Sequence, residues 1–218
     1  MLGTRQKAMR ALGVAAMAVT LMVSMFASSS ASAQTPSDGI LPAGEWTDLQ
    51  RQVATSLVRW SERELPAFSD PARLRQLGFV DIGPVVAGGY YHYVNVPWMS
   101  DQHFLDPRYP ESVVLKRDAS GQYHAQAAMF FLTPTMTMDQ IPQFLRWFPG
   151  WHVHPELCAD DQGRVVGFPI NGQCTRGRVV SNPMLHVWIV DTPCGHRFGG
   201  LDGGGLHCEY EHEHDMGT

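Results

Sequence analysis

The sequence predicts an α+β fold: an N-terminal helical hairpin, then a mainly antiparallel β-sheet, with the C-terminal part stapled by disulfides. Three observations predict it. Apolar residues recur at steps of three and four from Trp46 to Trp60, the period of a helix. From Tyr90 onward the chain breaks into short aromatic and β-branched runs separated by Gly, Pro, Asn and Asp, the texture of strands and turns. All four cysteines, Cys158, Cys174, Cys194 and Cys208, lie in the last third.

The first 33 residues stand apart. Arg5, Lys7 and Arg10 precede an apolar run from Ala11 to Ala27, and three serines lead to Ala31-Ser32-Ala33. This is the order of a cleavable secretory signal, and it predicts an exported protein, periplasmic or extracellular. Removing the signal takes three cations and no acids, so 16 Lys+Arg against 21 Asp+Glu becomes 13 against 21, a net −8. An acidic chain without basic runs is a poor nucleic-acid binder. After the signal no apolar stretch approaches the roughly 18 residues of a membrane span.

Residues 34–44 read as a flexible leader, 45–208 as a single α+β domain, and 209–218 as an acidic, histidine-containing tail. The first helix starts near Glu45 and places Trp46, Leu49, Val53, Leu57 and Trp60 on one apolar stripe, with Pro66 ending it. Asp70-Pro71 opens a second helix, Asp as N-cap and Pro at the first position. Leu74 and Leu77 are expected to face inward, and Gly78 closes it. Strands are expected at 90–96, 112–116, 123–132, 150–155 and 184–190, with Asp118–Gly121 as a turn and a short amphipathic segment at 139–148 broken by Pro142. An even cysteine count in an oxidising compartment reads as two disulfides. Pairing 158–174 and 194–208 closes two short loops, but the spacing does not choose among the three possible pairings.

The chemistry concentrates in histidine. In Trp151-His152-Val153-His154-Pro155-Glu156, strand alternation puts His152, His154 and Glu156 on one face and Trp151 and Val153 on the other. In Met184-Leu185-His186-Val187-Trp188-Ile189-Val190 both faces are apolar, so His186 belongs to a strand buried on both sides and is expected to be neutral. His92 sits in the aromatic strand Tyr90–Val96. Several core histidines each need a donor and an acceptor satisfied, and one shared ion satisfies them together. The candidate ligands are therefore His152, His154 and His186, with His92 or Glu156 as a fourth, and the ion is copper or zinc, which neutral imidazole suits. His212, His214 and Met216 in the tail offer a looser chelating tract. His103 and His124 read as solvated.

Three functions are compatible with this pattern. The first is an exported binder of one transition-metal ion, for sequestration, delivery or sensing. The second is a metal-dependent enzyme in which three histidines leave an open position and Glu156 is the general base. The third is a metal-free, disulfide-stabilised protein whose histidines bond to backbone carbonyls. Nucleotide-binding and nucleophile-elbow motifs do not occur.

The stretches Gly89-Tyr90-Tyr91-His92-Tyr93-Val94-Asn95, Leu105-Asp106-Pro107-Arg108-Tyr109-Pro110-Glu111, Trp151-His152-Val153-His154-Pro155-Glu156-Leu157-Cys158 and Met184-Leu185-His186-Val187-Trp188-Ile189 resemble a family of uncharacterised bacterial exported proteins. The resemblance spans roughly residues 46–208. It implies that His92, His152, His154 and His186 belong to that family's pattern, and it supplies no reaction. His152, His154 and His186 also resemble, in order, the metal-binding histidines of cupins. Glu156 follows too closely, no glycine–proline motif precedes His186, and the opening is helical, so the cupin assignment is not adopted.

Overall fold

The computed structural model describes residues 39–42, 44–86, 89–101, 103–193 and 195–199. The secretory signal, most of the leader, Cys194, Cys208 and the histidine-containing tail lie outside the described residues.

Helix α1 spans Asp48–Glu64. Thr47 and Gln50 form a reciprocal capping box at its start, which satisfies backbone donors that have no partner inside the helix. A 3-10 turn, Leu65–Phe68, continues it. The buried stripe is Ala54, Leu57, Val58 and Ser61. Leu49 is 68% and Val53 40% exposed, so the face turned to the core is rotated away from the expected stripe. Small residues at 54 and 61 let the helix approach its neighbours closely, which a larger residue such as Leu49 does not.

The expected helical hairpin is not formed. Helix α2 is only Pro71–Gln76. Its Asp70 carboxylate accepts from the Ala72 N–H at 2.8 Å, as the Asp-Pro start requires. Gly78, at φ +90°, ends the segment, and Leu77 is exposed while Leu74 is buried. Six residues do not make a second arm. Among the described residues, α1 and its 3-10 extension are the one substantial helical stretch. The α+β prediction is thus corrected to a mainly β architecture.

Seven antiparallel strands follow: β1 Val80–Val86, β2 Tyr90–Val94, β3 Ser112–Arg117, β4 Tyr123–Phe131, β5 His152–Ala159, β6 Val165–Gly167 and β7 Arg178–Trp188. Their order in the sheet is β1-β2-β3-β4-β7-β5-β6. The sequence reading missed β1 and β6. Gly83 and Pro84 interrupt β1, which survives because Pro is tolerated on an edge strand; β6 has three residues. A short helix α3, Gln143–Arg146, follows Pro142.

Register fixes the two faces of the sheet. Tyr93, Val113, Leu115, Ala128, Phe130, Leu185 and Val187 form the main core with Leu57, Val58, Leu65 and Leu74 of the helical segment. The other face carries two cross-strand rows. One is His92–Val114–Ala127–Trp188, the other Val94–Ser112–Met129–His186. His152 extends this face through its pairing with Met184.

This second face is concave. His92 and His186 stand on β2 and β7, with β3 and β4 between them. Three inter-strand steps in a flat sheet separate them by about 14 Å. Their rings are 6.3 Å apart, so the sheet curls over its own face into a near-barrel. The β5–β6 turn comes round against β2: a Cβ on Gly163 would lie 3.2 Å from Val94 Cγ1 and 3.1 Å from Val96 Cγ2. Cys158 and Cys174 form a disulfide with Cα atoms 5.8 Å apart, tying β5 to the segment that leads into β7. A loop of this length is typically worth about 3 kcal/mol.

Candidate metal centre

The curl brings together the four histidines that the sequence singled out. His152 and His154 come from β5, His186 from the centre of β7 and His92 from β2. Ring centres are 5.0 Å apart for His152 and His154, 5.2 Å for His152 and His186, and 6.3 Å for His92 and His186. Two imidazoles held at 2.0–2.1 Å in a tetrahedral shell have ring centres about 5 Å apart. The first two spacings meet that condition. The ring planes do not meet it: His152 and His186 lie stacked, 8° between planes, so an ion in the plane of one ring lies out of the plane of the other. Consistent with this, no three His, Cys, Asp or Glu side chains among the described residues surround one point as a ligand set.

The hydrogen bonds divide the ring nitrogens into two kinds. His152 Nδ1 lies 2.8 Å from the Gly150 carbonyl oxygen. His154 Nδ1 lies 2.6 Å from Glu156 Oε1. Both oxygens can only accept, so in the neutral rings Nδ1 carries the hydrogen and Nε2 keeps its lone pair. Both Nε2 atoms are shielded from solvent without a hydrogen-bond partner. Neither nitrogen of His92 and neither of His186 has a hydrogen-bond partner, and both residues are 0% exposed. A buried donor or acceptor left alone costs about 1–3 kcal/mol, so six such nitrogens on one concave face are a large standing penalty. Trp188 Nε1, stacked beside His186 at 6.1 Å, and Ser112 Oγ, in the cross-strand row of His186, are further unpartnered buried atoms on this face. The sequence reading placed Trp188 on the His186 face but did not foresee that its N–H would lack an acceptor.

Burial sets the charge state. It draws His92 down to about 4, with the neighbouring His154 adding to the effect. Burial and then His154 draw His152 to about 4, against the opposing hydrogen bond to Gly150. His186 is held well below its ordinary value by burial and then by His152, His92 and His154. Near neutral pH these three rings are uncharged, the form that a metal ion accepts.

Glu156 is placed differently from the histidines. Its side chain is 59% exposed, against 17% for His154, and its carboxylate engages the outer nitrogen of His154. That is the position of a group that orients a ligand and raises its basicity. His103 Nδ1 lies 3.1 Å from Asp101 Oδ2, and its ring stacks on Tyr109 at 4.2 Å. His124 bonds Asp118 at 2.9 Å. His103 lies in a loop outside the sheet, and His124 is an exposed position of β4. Cys194 and Cys208 lie outside the described residues.

No helix among the described residues is long and apolar enough to cross a membrane. No family model, no curated protein and no solved structure matches the chain.

Proposed function

We propose that this is an exported protein that binds one transition-metal ion, copper or zinc, within its curled sheet. His152 and His154 bind through Nε2, and His186 and His92 complete the set. One observation carries the reading. Two rings have their Nδ1–H fixed on oxygen acceptors, one a backbone carbonyl and one a carboxylate, while their Nε2 atoms are buried without partners. This outer-oxygen, inner-lone-pair arrangement is how proteins orient metal-binding imidazoles. His186 and His92, whose ring nitrogens have no hydrogen-bond partner, turn about their side-chain torsions toward the point that the two fixed rings define.

The metal-free alternative requires the histidines to bond to backbone carbonyls. Among the described residues only His152 Nδ1 does so in this cluster. Export places the protein in the periplasm or outside the cell, where the Cys158–Cys174 bridge is stable. In this reading Glu156 is an orienting carboxylate rather than a ligand.

The test is equilibrium binding of zinc and of copper to the metal-free chain, compared with His152→Ala and His154→Ala. The reading predicts saturable uptake of one ion and its loss in both variants while the circular dichroism spectrum is kept. Unchanged uptake in folded variants would falsify it.

A further inference from the structure

The interior of the curled sheet is layered. At one end Tyr90 packs edge-on against Trp188 at 5.7 Å, and Lys116 Nζ lies over the Tyr90 ring at 4.9 Å. The histidines form the middle. Beyond them lies a cavity of about 60 Å³. Its walls are mostly apolar and include Val94, Met99, Met129, Phe131, Val165 and Met184, and it meets the histidine layer at His92 and His154. The exposed Arg178 stands on its rim.

Two independent features give this space a ligand chemistry. Apolar walls disfavour water, which needs two to four polar partners. An apolar cavity of about 150 Å³ takes benzene; this one is smaller, but three of its walls are methionines, whose unbranched side chains repack around an occupant. The second feature is His92, 0% exposed, with both ring nitrogens unpartnered where it lines the cavity. An entirely apolar occupant leaves those nitrogens as they are. An occupant with one polar end satisfies one of them.

We infer that the curled sheet binds a small organic molecule with an apolar body and a single polar end, the body in the methionine-lined cavity and the polar end at the histidine layer. This rests on the histidine site proposed above, and it names what lies beside that site. With an ion held by the four rings, the polar end adds as a fifth ligand; without one, it meets His92.

The probes are 4-fluorophenol, which has such a polar end, and fluorobenzene, which lacks it. Each is titrated into the purified chain, metal-free and zinc-loaded, and followed by fluorine NMR. Saturable binding of 4-fluorophenol is expected, with fluorobenzene weaker by about tenfold, the factor that one net hydrogen bond supplies. Val165→Trp fills the cavity from an edge strand away from the histidines, and should weaken 4-fluorophenol by about tenfold or more. Val165→Phe is the milder replacement if the Trp variant does not fold. The inference is overturned if neither probe saturates in either form, if the filled variant binds as well as the parent, or if fluorobenzene binds as tightly as 4-fluorophenol. Zinc content is measured in the same samples. Probe binding without zinc uptake upholds the cavity and removes the ion; zinc uptake without probe binding removes the cavity ligand and leaves the ion.

Discussion

The two faces of the sheet solve opposite problems. The face beneath α1 is filled by Val113, Leu115, Phe130, Leu185 and Val187, all at most 1% exposed. The concave face uses the same strands and buries His92, His186 and Trp188 as completely, with His152 and His154 partly exposed, yet these four histidines and Trp188 keep their inner polar atoms unpaired. Burial is therefore not what distinguishes them. One face is finished by packing. The other holds polar atoms that packing leaves unsatisfied, and a protein keeps such a face when something else satisfies it.

The largest expected effect breaks the finished face. Phe130→Ala should cost about 3–5 kcal/mol, read as a lowered denaturation midpoint, while the molecules that remain folded take up the same amount of metal. A coupled loss of metal affinity per folded molecule would show that the two faces are not independent.

Acid should act on the other face. His92 and His152 have folded values near 4 against an ordinary 6.5. Between those limits the unfolded chain binds the additional protons, so stability of the metal-free protein falls as pH drops from about 6.5 to about 4. Each of the two rings contributes on the order of 3 kcal/mol. Glu111 acts in the opposite sense. It is 3% exposed and raised well above the usual carboxylate value, chiefly by burial, so it lowers stability as pH rises above about 4.5, the ordinary glutamate value. Urea melts across pH, repeated with Glu111→Gln, separate the two trends.

Ion binding should stabilise the chain by about 2.7 kcal/mol at free zinc one hundredfold above Kd. His154→Ala should abolish that gain. The smallest effect is expected from Glu156→Gln. It removes the charge behind His154 and should weaken metal binding about 10- to 100-fold, while stability without metal moves by no more than about 0.5 kcal/mol. A change in metal-free stability as large as the change in affinity would assign Glu156 to the fold.

Much of the site was legible because alternation along a strand needs no knowledge of topology. The common face of His186, Met184 and Trp188 follows from period two, and the register agrees with it. That His92 meets His186 across two intervening strands was not legible, since it depends on how far the sheet curls, a property of pairings distant in sequence. The overall class was misread where local signals were strong but short. Asp70-Pro71 starts a helix and Gly78 ends it, as the local signals say, but six residues are too few to make the second arm of a hairpin. Gly83 and Pro84 hid an edge strand, and β6 is too short to show a pattern. For α1 the period was right and the phase was wrong, because the packing surface selected Ala54 and Ser61 over Leu49.

The most direct test of the central claim is the X-ray absorption spectrum of zinc bound to the full chain carrying His212→Ala and His214→Ala, which removes the tail chelate. The account predicts one zinc with a nitrogen shell and multiple-scattering features from at least three imidazoles, fewer in the His152→Ala and His154→Ala variants. An oxygen-dominated shell, or a spectrum unchanged by those two substitutions, would contradict it.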